Sequence, residues 1–285
     1  MAPQENIPLS ANILGYVDLL MLPSLLLIIS AVCWCVQIIP QIWYNWHRKD
    51  TEGLPGMMLF LWAAGTVPLG AYAVVQNFNI PIQIQPQVFG ALTMICWAQT
   101  LIYHNRWRVW TASLFVTAVA ILFAGAEAIL ILTLRGPYSR GISWPVTMVG
   151  IISAVVLAAG LIPPYFELWK RSGRVIGINF VFLTIDFAGG FFSLMALVAQ
   201  QTFDYLGGVQ YIICLILEIG IFGSHWIWLY RTRTIRKEAK SVSKSYDEYV
   251  GEKEGKVKNE SLDVDLEKGM TEKRLSIETK STSSV

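Results

Sequence analysis

Long runs of apolar side chains fill the first 230 residues, separated by short polar and basic stretches. Leu19–Trp46 contains no Asp, Glu, Lys, Arg or His, and neither does Gly53–Tyr103. The second run is long enough for two membrane crossings, each needing about 20 apolar residues. The polar, proline-containing stretch Gln76–Gln87 divides it. Trp110–Leu134, Gly141–Phe166, Val175–Phe203 and Tyr205–Tyr230 follow as four further runs. This pattern predicts an all-α membrane protein with seven transmembrane helices joined by short loops. It lacks the ~10-residue alternating strands of a membrane barrel.

Composition supports that class: 54% of residues are apolar and 15% charged, too few charges for a soluble enzyme or a nucleic-acid binder. The charges are also uneven. Met1–Tyr230 carries nine Lys/Arg and nine Asp/Glu, whereas the remaining fifth of the chain holds 13 and 11. From Lys240 to Val285 the sequence is rich in Ser, Lys and Glu and is expected to be a disordered tail. Residues Met1–Asp18 lack basic side chains and do not resemble a cleavable signal, so the first apolar run is expected to be a retained helix.

Basic residues set the orientation. With the N-terminus lumenal, Arg48, Lys49, Arg106, Arg108, Lys170, Arg171 and Arg174 all fall in cytosolic loops, joined by the tail; only Arg135 and Arg140 face the other way. Trp43, Trp46, Trp107, Trp110, Trp169, Trp226 and Trp228 sit near the same cytosolic ends. Cys33, Cys35, Cys96 and Cys214 lie in apolar runs without metal-binding spacing, and read as packing residues. No nucleophilic triad or phosphate-binding loop is visible. Neither an enzyme nor a metal or cofactor site is expected.

The chain repeats itself. Ile38-Ile39-Pro40-Gln41-Ile42-Trp43 through Arg48 aligns with Leu161-Ile162-Pro163-Pro164-Tyr165-Phe166 through Arg171 at an offset of 123. One inserted residue later, Gly53-Leu54 pairs with Gly177-Ile178, Gly65 with Gly189 and Gln76 with Gln200. Each unit therefore holds three helices (residues 19–103 and 141–230), and a linking helix (110–134) joins them. The expected plan is two parallel three-helix-bundle repeats arranged 3+1+3, a transporter signature with the site between the halves.

Duplicated Pro40-Gln41 and Pro163-Pro164, the following Trp43 and Trp169, the basic residues and the Gly-Leu pair resemble the PQ-loop repeat family. That family includes cystinosin, the vacuolar and lysosomal basic-amino-acid transporters and the SWEET sugar transporters. The first half, with Leu61-Trp62-Ala63-Ala64-Gly65, is similar to the basic-amino-acid transporters, although Thr66 stands where those usually have Asp. The second half, with Ile185-Asp186-Phe187-Ala188-Gly189-Gly190, looks more like cystinosin, whose equivalent acid is implicated in proton coupling. The lysine of cystinosin's last helix has no counterpart near Gly207-Gly208.

Asp186 lies midway along the sixth run, where a charge costs on the order of 3 kcal/mol. On a helix it shares a face with Asn179, Gly190 and Ser193, a polar stripe suited to lining a wet cavity. Asp186 is the expected proton-coupling residue, the alternative being a carboxyl that serves packing alone. Glu218, midway along the seventh run and in line with Gln210, Cys214 and His225, and Asn179 are candidates for a second protonatable or substrate-binding group. Glu127 on the linking helix reads as structural. Pro40 and Pro163 kink equivalent helices and are expected hinges, with Gln41 and Pro164 as gate residues. Taken with the resemblance, these features imply a secondary transporter. It would export a small polar solute, an amino acid, with protons from a vacuole or lysosome to the cytosol. The alternatives are a lipid scramblase or regulator of lipid asymmetry in Golgi or endosomal membranes, and a sorting receptor like the KDEL receptors. The partners expected are the solute, protons and the bilayer, with no nucleic acid.

Overall fold

The computed structural model of the chain describes residues 22–78, 80–199 and 205–256. The expected lumenal segment 1–18 and the far tail lie outside the described residues. The chain divides into two compact units, Met1–Ile227 and Trp228–Val285. Among the described residues of the first unit there are helices and no strand: α1 (Leu22–Val36), α2 (Ile38–Arg48), α3 (Gly56–Val75), α4 (Ile80–Tyr103), α5 (Val109–Ser139), α6 (Trp144–Ala159), α7 (Ile162–Lys170), α8 (Phe180–Ala199) and α9 (Tyr205–Arg231), the last of which runs on into the second unit.

Among the described residues, six stretches are long and apolar enough to cross a membrane: Leu25–Arg48, Gly56–Val75, Val109–Ser139, Trp144–Lys170, Phe180–Ala199 and Gly208–Arg231. The seventh expected crossing, α4, is a 24-residue helix whose sequence carries Gln83, Gln85, Gln87 and Gln99. Three of these amides have internal partners. Gln83 donates to Phe78 O, Gln87 to Glu127, and Gln99 to Ile42 O at 3.1 Å. The stretch Gln76–Gln87, expected to divide two crossings, is already helical from Ile80, so Pro86 and Gln87 lie well inside α4.

Prolines explain where two crossings break. A proline cannot donate to the carbonyl four residues back, and its ring crowds that carbonyl. For Pro40 that residue is Val36, the end of α1, and for Pro163 it is Ala159, the end of α6. Pro164 frees Gly160 as well. The second interruption accordingly spans Gly160 and Leu161, whereas the first is Gln37 alone.

Backbone conformation recurs at the repeat offset. Lys49 and Ser172 are both left-handed at φ 53°, Lys49 as the C-cap of α2 and Ser172 two residues past the end of α7. Gly53 and Gly177 both sit at φ 81°. These two glycines meet: a Cβ on Gly53 would lie 2.4 Å from Ile176 O, and one on Gly177 2.3 Å from Glu52 O. The two loops therefore press together backbone to backbone, which only glycine permits at both positions.

Side-chain packing follows the same pairing. α1 packs along α8, and α6 along α3. Ser30 donates to Gly189 O at 2.8 Å, while Ser153, its counterpart 123 residues on, donates to Gly65 O at 2.9 Å. Gly189 makes room for Trp34 and Gly65 for Leu157, again equivalent positions. Ser153→Ala is expected to lower stability by ~1 kcal/mol by removing a buried hydrogen bond. Ser30→Ala should cost more, since Ser30 also bonds Ser193 Oγ at 2.5 Å. Thermal unfolding of the two variants in detergent checks that order. Equal losses would contradict it.

Helix α5, the expected linking helix, is mostly exposed along its length, with Ala112, Val116 and Leu134 its buried residues. Glu127 is tied to the first bundle by Gln87, and Gly70 leaves room for its carboxylate.

In the second unit, α10 (Arg233–Ser241) is followed by helical residues 246–256. Within the tail expected to be disordered from Lys240, the described residues 246–256 are thus helical. The reason is a set of local ties that composition does not reveal. Ser245 receives the Glu248 N–H at 3.2 Å as a helix cap, Tyr249 donates to Glu238 at 3.0 Å, and the Trp228 and Tyr246 rings meet edge to face at 5.2 Å.

Candidate functional site

A cavity of about 150 Å³ lies between the helices of the first unit, large enough for a ligand of benzene's size. Its floor is acidic. Asp186 from α8 and Glu218 from α9 both line it, and their carboxyl groups are within hydrogen-bonding range of each other. Gln37, at the break between α1 and α2, and Trp34 also reach Asp186. Both carboxyls are buried, at 8% and 3% exposure. Among the described lining residues none is Lys, Arg or His. Two acceptors at the floor, Gln37 Oε1 and Glu218 Oε2, have no hydrogen-bond partner. A buried acceptor left unpaired costs about 1–3 kcal/mol, so the site is poised to receive hydrogen-bond donors.

The walls are aromatic. Trp34 and Tyr211 face each other at 5.7 Å, and Trp62 packs on Phe89 at 5.6 Å and Phe182 at 5.8 Å. Tyr72, Phe78 and Gln85 continue the lining toward one end of the bundle, together with Leu197 and Gln210. That end carries the C-termini of α3 and α8 and the N-termini of α4 and α9.

The opposite end is closed by a clasp. Gln41 is fully buried and bonded on both sides of its amide. Its Nε2 donates to Gly177 O and Asn45 Oδ1, both at 2.8 Å, and its Oε1 receives the Asn179 N–H at 2.7 Å. Asn179 Nδ2 donates in turn to Pro40 O at 3.2 Å. Asn45 extends the network to Gln99 at 3.0 Å. Arg171 adds an ion pair with Glu52 at 3.0 Å across the same two loops.

The structure therefore brings together Asp186 and Glu218, and separately Pro40, Gln41 and Asn179. Asn179 does not line the cavity. The expected stripe from Asn179 to Ser193 fails at its first member because α8 begins only at Phe180. The Asn179 side chain turns back to receive the Val181 N–H at 2.8 Å. His225 likewise leaves the line of Gln210, Cys214 and Glu218, and accepts the Val175 N–H at 3.2 Å. Pro163 is the second residue of α7 and Pro164 is buried beside it, with no amide to match Gln41. Thr66 spends its hydroxyl on Ala63 O at 2.7 Å.

The aromatic lining was not foreseen, because Trp34, Trp62, Tyr72 and Tyr211 in apolar runs read as ordinary membrane residues. The repeat held the missing signal. Trp34 aligns with Leu157 and, past the inserted residue, Trp62 aligns with Asp186, and all four line the cavity.

Hydrophobic crossings, paired glycine loops and an aromatic-walled, acid-floored cavity sealed at one end define an integral, multi-pass membrane protein of the transporter-like kind. The PQ-loop repeat family model matches residues 22–82. An uncharacterized membrane protein of Saccharomyces cerevisiae is 40% identical over 242 residues, covering 84% of this chain and 76% of its own. An uncharacterized protein of Schizosaccharomyces pombe is 36% identical over 195 residues, 68% of each. The chain belongs to the PQ-loop repeat family. It is also similar, at 34% identity over 78 residues, to the vacuolar lysine transporter YPQ1 of Saccharomyces cerevisiae, a match covering 27% of this chain and 25% of that one.

Proposed function

We propose that the protein is a proton-coupled secondary transporter that carries an amino acid bearing a cationic group from the lumen of an acidic organelle, a vacuole or lysosome, to the cytosol. One observation carries this reading: the cavity holds two carboxyls and two unpaired acceptors and is lined by no described basic side chain. A substrate ammonium brings three donors and a compensating charge. Similarity to a lysine transporter over part of the chain favours the same solute class.

In this reading α4 is the seventh crossing, and the bundles 19–103 and 141–230 form the 3+1+3 plan. The Gln41 clasp lies at the end carrying Arg48, Lys49 and Arg171, which basic-residue placement makes cytosolic. The described conformation is then sealed to the cytosol, with its cavity toward the lumen. Asp186 takes a proton from that side and Glu218 holds the substrate amine. Rocking at the breaks before Pro40 and Pro163 releases the clasp and opens the cytosolic side.

Purified protein in liposomes on a solid-supported membrane, perfused with an amino-acid panel at acidic pH, tests the reading. Lysine or arginine should evoke a current that neutral amino acids do not. Silence across amino acids and sugars from folded protein would overturn it in favour of lipid handling or a receptor role. Glu218→Gln keeps the side chain's shape and removes its charge. It is expected to weaken the apparent affinity for the cationic substrate about tenfold or more, the size of one charged hydrogen bond. An unchanged affinity would remove Glu218 from the substrate site.

A further inference from the structure

The second unit carries a surface that the transport cycle does not use. Four cations of α10, namely Arg233, Arg236, Lys237 and Lys240, follow the spacing i, i+3, i+4 and i+7, and all four are exposed. At 3.6 residues per turn they occupy a single arc about 100° wide. No acidic residue shares it.

The helix's one acid, Glu238, is turned to the other side. Tyr249 donates to its carboxylate at 3.0 Å and Lys253 pairs with it at 3.4 Å, and both hold that carboxyl below its ordinary range. On the same side Ala239 is 2% exposed and Ile235 is half-buried. Lys244 pairs with Glu252, and the Trp228–Tyr246 contact closes the hairpin at its base. A nine-residue helix is not stable alone in water. The partner segment 246–256 thus does two things: it supports α10 and neutralises its only acid, leaving the basic arc outward.

Two further features concern where this arc begins. α10 starts two residues beyond Arg231, the end of the last apolar stretch, so the chain delivers it at the membrane surface. Arg233 stacks over the Tyr230 ring at 5.0 Å and Arg236 over Trp228 at 5.7 Å. Aromatic rings and guanidinium groups of this kind suit the headgroup level of a bilayer. The arc has no apolar residue that would insert among acyl chains, which leaves charge as the means of recognition.

We propose that the exposed arc of α10 binds anionic phospholipid headgroups of the leaflet at which the last crossing emerges. Charge complementarity singles out that partner: four cations within one arc, none ion-paired among the described residues, facing a surface that carries one negative charge per anionic lipid.

The test uses the full chain in liposomes of phosphatidylcholine with 20 mol% phosphatidylserine, with spin-labelled lipid of either headgroup as the probe. The readout is the fraction of label that the protein restricts. Phosphatidylserine should be restricted in excess of phosphatidylcholine at low salt, and the excess should shrink as salt rises. R233Q/R236Q/K237Q/K240Q should remove most of it, at about fivefold in relative affinity per charge. The charge-keeping variant R233K/R236K should retain it, and so separates loss of charge from loss of fold. Equal restriction of the two lipids would overturn the proposal. A serine excess that survives the fourfold variant would also overturn it, by placing the lipid at another basic loop. An excess lost in both variants would point to geometry rather than charge and reject it equally.

Discussion

Asp186→Asn is expected to abolish proton-driven accumulation while leaving a folded carrier that still exchanges substrate. The side chain keeps its size and can still bond Gln37 and Trp34, but it can no longer load a proton. Taking one partner from a buried, hydrogen-bonded charged cluster costs about 3 kcal/mol, or roughly a hundredfold. Uptake driven by a pH gradient should fall to background, and the dependence on lumenal pH should vanish with it. Counterflow of labelled substrate, measured without a gradient, should persist. Undiminished and still pH-dependent uptake would remove Asp186 from the coupling step. Loss of counterflow together with driven uptake would assign it to substrate binding instead.

Gly177→Ala should have a comparable effect by another route. At φ 81° a side chain is strained by ~1–3 kcal/mol before any contact is counted. Its Cβ would also fall 2.3 Å from Glu52 O and 2.6 Å from Leu54 N, both backbone atoms that cannot rotate away. Gly53→Ala meets Ile176 O in the same manner. Either change should lower the unfolding temperature by about 5–10 °C and loosen the Gln41 clasp, since Gly177 O is one of its acceptors. Gly125→Ala on α5, where nothing lies within 4 Å, is the control and should be neutral or slightly stabilising. A wild-type melting temperature for Gly177→Ala would mean that the loops part readily.

Crossings and helical class were legible because hydrocarbon imposes a coarse rule: apolar runs of sufficient length, with charges at their ends. Six of the expected crossings meet that rule outright. α4 meets it in length but not in hydropathy, since its glutamines are placed by their partners rather than by solvent. The prolines also gave more than kinks, because the position of each break follows from the carbonyl four residues back. What the sequence could not supply was depth and direction. A polar stripe counted along an ideal helix assumed that α8 began before Asn179, and the chain is still a loop there. The aromatic walls were hidden for the opposite reason, as Trp and Tyr look the same whether they face lipid or a cavity. The helical hairpin after residue 240 escaped because its stability comes from a few pairings, notably Glu238 with Tyr249 and Lys253, that leave the composition as polar as a disordered segment.

The clasp exists in one half only, because Gln41 has Pro164 as its counterpart. In a carrier whose repeats exchange conformations, identical halves would leave the two orientations of the empty protein nearly equal in energy. In the proposed reading, the cytosol-sealed orientation keeps three hydrogen bonds of a buried amide that its mirror image has no residue to replace. At ~1 kcal/mol for each of two or three such bonds, the empty carrier would rest facing the lumen by roughly thirty- to a hundred-and-fiftyfold. Such a bias does not change which way the solute moves downhill. It would set where such a carrier waits between cycles, and would keep most copies ready to load from the side proposed to hold the protons.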